Sequence, residues 1–312
     1  RRISAGLFCA MAAYSTIRRE PESKSMTCVH SEAAGKNVRA NATPWALNQL
    51  PAFPAVATRL MQMFAEPDIS ISEIGRVIAL DSVFAARVLQ TANSPLFGAR
   101  AEVKSISHAI ILLGLRRVKA VTITRALADF VAPALKVEAL RGCWQNSLAA
   151  AIIAEKLARA CKLDPDFAYV AGLMRDIGRL ALLLKHPDAY ANLLAASHEN
   201  TFDLMSKERE LFEVDHCQAG AWIVQDLPFP SELREVVARH HEKPREGSFQ
   251  ILDLVRVADL LTDALGFAVL GPIDRQSFQE VMQLLPLAAQ DRFGADPENL
   301  TAEIDSRIQA WE

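Results

Sequence analysis

The sequence predicts an all-α protein, and three observations carry that prediction. Apolar residues recur at spacings of three and four through most of the chain, as in Val56, Leu60, Met63 and Phe64 or in Leu140, Trp144, Leu148 and Ile152, which is the period of a helix with one packed face. Helix-start signals stand ahead of these runs: Ser70 with Glu73, Asp81, Ser105, and Asp164 followed by Pro165. No stretch carries the apolar-polar alternation of a half-buried strand, and no internal repeat shows at periods of about 20 to 50 residues.

Taken in order, the chain opens on Arg1 and Arg2 ahead of the apolar stretch Ile3 to Ala13, an imitation of a signal peptide. Met11 and Met26 are plausible starts, so an uncleaved leader or upstream sequence is the favoured reading, and residues 1–44 are expected to be poorly ordered. Leu50-Pro51-Ala52-Phe53-Pro54 fixes an extended approach to the first helix, which Glu66-Pro67-Asp68 ends. Ser70 and Glu73 form a capping box for a second helix carrying Ile74, Val77 and Ile78. Asp81 caps a third, broken by Asn93-Ser94-Pro95 and Gly98. Ser105 opens Ile106 to Leu113, Gly114 interrupts, and a further helix runs from about Leu115 to Phe130 before Pro133.

Glu138 to Lys162 is helical again and carries Asn146. Asp164 and Pro165 then announce a long helix, whose packed residues Phe167, Val170, Leu173, Met174 and Ile177 carry Arg175 and Asp176 to a core edge. Such a pair needs partners or belongs to a site, because charges near an apolar face are costly to bury alone. Helices follow at about Pro187 to Ser197, Thr201 to Phe212, Asp215 to Leu227, Ser231 to His241 and Phe249 to Leu265. The remainder, Gln276 to Trp311, reads as two or three amphipathic helices around Pro286 and Pro297.

A chain of 312 residues that is 51% hydrophobic and 23% charged has the composition of a globular protein with a large core. Its formal net charge of -3 supplies no basic field for coating nucleic acid or an anionic membrane. Cys9, Cys28, Cys143, Cys161 and Cys217 are scattered without a CxxC, which suggests neither a disulfide framework nor a zinc finger and points to a reducing, cytoplasmic setting. No apolar run approaches the roughly 18 to 20 residues that span a bilayer.

In this order, LPAFP, DSVFAARVLQTANSPLFG, SISHAIILLGLRRVK, WQNSLAAAIIAEKLA, AGLMRDIGRLALL, VDHCQAGAWIVQDLPFP and VARHH resemble the HDOD domain, a non-enzymatic relative of the HD-type metal phosphohydrolases found in bacterial signalling proteins. The resemblance covers about Leu50 to Asp259. It implies an HD-like helical bundle over about 135–266, an N-terminal helical part over 45–134 and a C-terminal helical extension over 267–312. The related enzymes hold metal with a histidine, an adjacent His-Asp pair and a distant aspartate, and the HD-GYP branch adds three histidines. Carried across, the first histidine falls on Asn146, the pair on Arg175 and Asp176, the added histidines on His216, His240 and His241, and the last aspartate on Asp259. Two positions depart: asparagine is a poor transition-metal ligand, and an arginine sets a permanent positive charge where the enzymes set a cation. HHEKPREGS also lacks the Gly-Tyr-Pro of that branch.

Asp176, His216, His240 and Asp259 retain the makings of a single-metal site. The favoured reading is a buried polar network in which Arg175 acts as a built-in cation, holding Asp259 by a paired hydrogen bond with His216 or His240 completing it. No cofactor, stoichiometric metal or hydrolysis is then expected. Arg116, Arg117 and Lys119 form a candidate basic patch for a phosphate or nucleic acid, although a solvated helix face is the simpler reading. The function expected is a signal-transduction module that binds a protein partner, with self-association open and no membrane or nucleic-acid role. The alternative is a metal-dependent phosphohydrolase acting on a cyclic dinucleotide or another phosphodiester.

Overall fold

The computed structural model describes residues 44–50, 55–64, 70–93, 102–225, 227–242, 248–271, 275–294, 296–309 and 311, and among them every regular element is helical. The expected leader lies outside the described residues but for Pro44, as do Pro51–Pro54, Glu66–Asp68 and Ser94–Gly98.

Local capping chemistry sets the N-terminal helices that follow α1 (Ala55–Phe64). Ser70 Oγ accepts from the Glu73 amide at 3.2 Å and starts α2 (Ile71–Ala79). Asp81 Oδ1 accepts from the amides of Val83 and Phe84 at 3.0 and 2.9 Å and starts α3 (Ser82–Ala92). Ser105 Oγ does the same for His108 at 3.1 Å and starts α4 (Ile106–Leu113). Each such cap contributes about 1 kcal/mol. Gly114, at φ +84°, turns the chain straight into α5 (Leu115–Val131), a backbone angle that a side chain would strain. Buried from Val118 to Val131 with few breaks, α5 packs on α1, α3 and α4 and also on α7 (Pro165–Met174). The N-terminal helices and the bundle therefore share one core.

The bundle is built around α6 (Glu138–Cys161), against which α7, α13 (Ile251–Ala264), α15 (Leu287–Phe293) and α16 (Pro297–Gln309) pack. Two glycines permit the close crossings that position the site. A Cβ on Gly172 would lie 2.8 Å from the Ala150 carbonyl of α6. One on Gly178 would lie 2.0 Å from the His216 carbonyl, so α8 (Ile177–Lys185) and α11 (His216–Val224) touch backbone to backbone. The remaining helices are α9 (Pro187–Glu199), α10 (Leu204–Phe212), α12 (Ser231–Arg239) and the short α14 (Phe278–Met282). In the C-terminal stretch Leu300, Ile304, Ile308 and Trp311 are buried, and Arg307 pairs with Glu155 at 2.7 Å and Lys156 with Glu303 at 2.6 Å across the contact with α6.

Two expectations are corrected here. The long helix after Asp164 is broken: α7 ends at Met174 and α8 begins at Ile177, with Arg175 and Asp176 in the turn between them. No proline marks the break; seating Gly178 on α11 requires a change of axis that local sequence does not encode. Arg175 and Asp176 are also not at a core edge, being 0% and 2% exposed.

Candidate functional site

The turn between α7 and α8 delivers Arg175 and Asp176 into the middle of the bundle, where a buried charge survives only with close partners. Arg175 has them on every side. Its Nε donates to Asp259 Oδ1 at 2.9 Å and its Nη2 lies 2.8 Å from the same oxygen. Nη2 also lies 3.2 Å from Asp176 Oδ2 and donates to Asn146 Oδ1, while Nη1 donates to the Gly172 carbonyl at 3.0 Å. The Asn146 amide in turn donates to the Phe267 carbonyl at 2.9 Å. The pairing to Asp259 uses two nitrogens on one oxygen, not the parallel two-oxygen fork.

Asp176 divides its oxygens. Oδ2 faces Arg175 and Arg179, each at 3.2 Å. Oδ1 faces the histidines, 3.6 Å from His216 Nε2 and 3.5 Å from His240 Nε2, and has no hydrogen-bond partner although buried. His240 Nε2 is buried and unpartnered as well. Because α12 ends at Arg239, the turn that follows lets His240 and His241 converge, and His241 Nε2 lies 2.9 Å from His216 Nε2. His216 starts α11 behind the Asp215 capping box, and its Nδ1 donates to Glu208 Oε2 at 2.6 Å. Glu208 also accepts from the His216 amide at 2.9 Å and from the Tyr190 hydroxyl.

The electrostatics follow from this packing. Burial alone pushes the Asp176 carboxyl up, but Arg179 and Arg175 outweigh it and hold the group well below the usual carboxylate range. Asp259 is lowered too, Arg175 overcoming its burial, and Glu208 is lowered by His216 against the same opposition. His241 is exposed at its outer edge, and desolvation of its inner side, aided by the neighbouring His240, lowers its pKa to about 3. Asp263, one helical turn beyond Asp259, is raised to about 6 by burial and by the Asp259 charge. A cavity of about 410 Å³ opens onto this cluster, lined in part by Asn146, Arg179, His216, His241, Asp259 and Asp263.

Residues 50–243 match the HDOD domain family. The chain belongs to the HDOD family. Among solved structures, an HDOD domain protein with unknown function from Geobacter sulfurreducens is similar at 26% identity, covering 85% of this chain and 91% of its own, with a TM-score of 0.63. A Shewanella amazonensis SB2B protein named "Putative phosphohydrolase" shares the fold at 22% identity, 86% and 96% coverage and a TM-score of 0.61. An uncharacterized protein of Treponema pallidum (strain Nichols) is 22% identical over 200 residues, which are 64% of this chain and 39% of that relative. This HDOD chain thus spans well under half the length of that curated relative.

The HDOD site does not fit a cation beside Asn146 and Asp259, because the Arg175 guanidinium already occupies the donor position between them. Asp259 is thereby withdrawn from the ligand set expected with Asp176, His216 and His240; His241 stands nearer that set. In the candidate basic patch, Arg116 and Lys119 line one cavity of about 300 Å³, and the cations are partly paired. Arg116 pairs with Asp164 at 2.6 Å, Arg117 lies 3.6 Å from Glu155, and Lys119 is half-buried with its pKa lowered by desolvation. Sequence reasoning missed Glu208, Arg179, Tyr190 and Asp263. Arg179 and Asp263 had a signal, the helical spacing from Asp176 and Asp259. Glu208 had none, since KEREL reads as a solvated face.

Proposed function

We propose that this chain is a regulatory HDOD module in a bacterial signal-transduction pathway, which acts by binding a protein partner and does not hydrolyse phosphodiesters. The observation that carries this reading is the placement of Arg175, a permanent cation with its guanidinium bonded to Asp259, Asp176 and Asn146. Phosphodiester cleavage by a two-metal centre needs cations that hold both the attacking and leaving oxygens, and an arginine can present no metal-bound water. The division into an N-terminal part over 45–134, a bundle over 135–266 and a C-terminal extension over 267–312 belongs to the same reading. Asp176, His216, His240 and His241 are drawn together by the fold, which favours the second reading, a metal-dependent phosphohydrolase. Incubating the full chain with cyclic di-GMP and with a generic phosphodiester, in manganese and in magnesium, separates the two. No turnover is expected; turnover abolished by Asp176→Ala would establish the phosphohydrolase.

A further inference from the structure

Leu115, Arg116, Lys119 and Ile123 stand three or four residues apart on α5 and so share one face of that helix. The face is one wall of a cavity of about 300 Å³, closed on the other sides by the start of α7 and by the start of α12 with Phe229 ahead of it. Inside, the walls are apolar: Ile123, Val170, Phe229 and Leu233 are all buried. The charged groups belong to the rim. Asp164 Oδ2 accepts from Arg116 Nη1 at 2.6 Å, while Oδ1 accepts from the Asp166 and Phe167 amides at 3.0 and 3.1 Å and caps α7. Asp166 also lines an adjoining gap of about 20 Å³ with Arg117, Glu155 and Arg307, and Arg117 is the cation that most favours its ionised form. Across the cavity and that gap, the cations Arg116, Arg117, Lys119 and Arg307 outnumber the carboxylates Asp164, Asp166 and Glu155 by one. Lys119 is half-buried, and desolvation lowers its pKa although Asp164 opposes the shift. Its ammonium therefore gains from an anion that enters the cavity.

We propose that this cavity binds a small molecule with an apolar body and a single carboxylate, the body against Ile123, Val170, Phe229 and Leu233 and the carboxylate on Lys119 and Arg116 at the rim. An enclosed apolar wall with a few convergent polar groups is the ordinary make-up of a small-molecule site. Volume bounds the ligand. The cavity of about 300 Å³ has the share of about ten waters, which suits a ligand on the order of ten non-hydrogen atoms, the size of octanoate. Charge bounds it too, since one surplus cation matches one carboxylate. Inorganic phosphate would leave the apolar wall unused, and an amine of the same shape would meet Lys119 and Arg116 with like charge. The position is that of a joint: an occupant touches α5 of the N-terminal helices and α7 and α12 of the bundle at once. Asp176 and its histidines take no part, and the site does not rest on the regulatory reading.

The test is calorimetric titration of the full chain with octanoate, and with 1-octanol, octylamine and acetate as the same body without charge, the same body with the opposite charge, and the head alone. Octanoate should bind one to one with a dissociation constant on the order of 0.1–1 mM, the affinity that about ten well-placed non-hydrogen atoms supply. Octanol should bind at least about 10-fold more weakly, and octylamine and acetate should give no isotherm in that range. Lys119→Met should weaken octanoate by about 10- to 100-fold, the range for losing a hydrogen bond to a charged group, and leave octanol unchanged. Leu233→Trp should fill the cavity and abolish binding of both, with Val170→Phe serving if the first does not fold. Leu270→Trp, which narrows the separate cavity of about 410 Å³, should leave octanoate binding as it is. The proposal is overturned if octanoate gives no saturable isotherm, if octanol or octylamine binds as tightly, if Lys119→Met or a folded cavity-filling variant keeps the parent affinity, or if Leu270→Trp alone removes binding. Phosphodiester turnover by the chain would sink the regulatory reading and leave this site standing; no octanoate bound and no turnover would do the reverse.

Discussion

Replacing Arg175 by methionine keeps the length and much of the volume of the side chain and removes every donor. The guanidinium is 0% exposed and serves Asp259, Asp176, Asn146 and the Gly172 carbonyl. Breaking a buried pair by removing one partner costs about 3–5 kcal/mol, because the other charge is stranded. Two features of the site place this case at the low end. Arg179 remains 3.2 Å from Asp176 Oδ2, and the Asp259 side chain is 21% exposed and so draws some water. A loss of about 3 kcal/mol at pH 7 corresponds to a fall in melting temperature of roughly 6–10 °C for a chain of this size. The pH dependence has a definite sign. Asp176 and Asp259 have folded pKa values below the ordinary one, so the stability that Arg175 adds is present above about pH 4 and is lost as the pH falls through the lower folded values. Thermal melts of both proteins from pH 7 to pH 3 should show a gap that closes in acid. A variant that melts within about 1 °C of the parent at pH 7 would refute the built-in cation.

Asp263→Asn should do the opposite. Its carboxyl is raised to about 6, so its charge costs stability above pH 6 and nothing below about pH 4, and the asparagine variant should gain about 2 kcal/mol at pH 7 and none at pH 4 in urea unfolding. Gly178→Ala puts a Cβ 2.0 Å from the His216 carbonyl, which forces α8 off α11 at about 3 kcal/mol, the upper end of overpacking costs; an unchanged urea midpoint would contradict the crossing. Deleting residues 50–130 should expose the α5-facing side of α7 and make the remainder aggregate, and a soluble, cooperatively melting fragment would show the two parts to be independent. Arg175→His combined with Asn146→His should free Asp259 for a cation and make the melting temperature respond to manganese more strongly than that of the parent.

What the sequence made legible was local. Ser70, Asp81, Ser105 and Asp164 each cap the helix that follows them within three residues, so their chemistry can be read without knowing the fold. Gly172 and Gly178 meet backbone from elsewhere in the chain, partners that local sequence does not name. The turn at Arg175–Asp176 escaped because its cause lies on α11, far along the chain, where Gly220 and the His216 carbonyl meet Gly178. Glu208 escaped for a related reason. Its neighbours Lys207, Arg209 and Glu210 face outward, and only the packing of α10 beside α9 and α11 buries it against Tyr190 and His216.

Asp176 ties these strands together, since its two oxygens belong to two different solutions of one electrostatic problem. Carboxylates gathered in a bundle repel one another unless a positive charge stands between them. Toward Asp259 the chain supplies that charge from its own side chain, which makes stability there independent of any ion and fixes the geometry at all times. Toward the histidines, Oδ1 stands 3.6 Å from His216 Nε2 and 3.5 Å from His240 Nε2 and is buried without a hydrogen-bond partner. The first half is therefore set by the chain itself, while the second rests on how α10, the start of α11 and the end of α12 pack around the two rings.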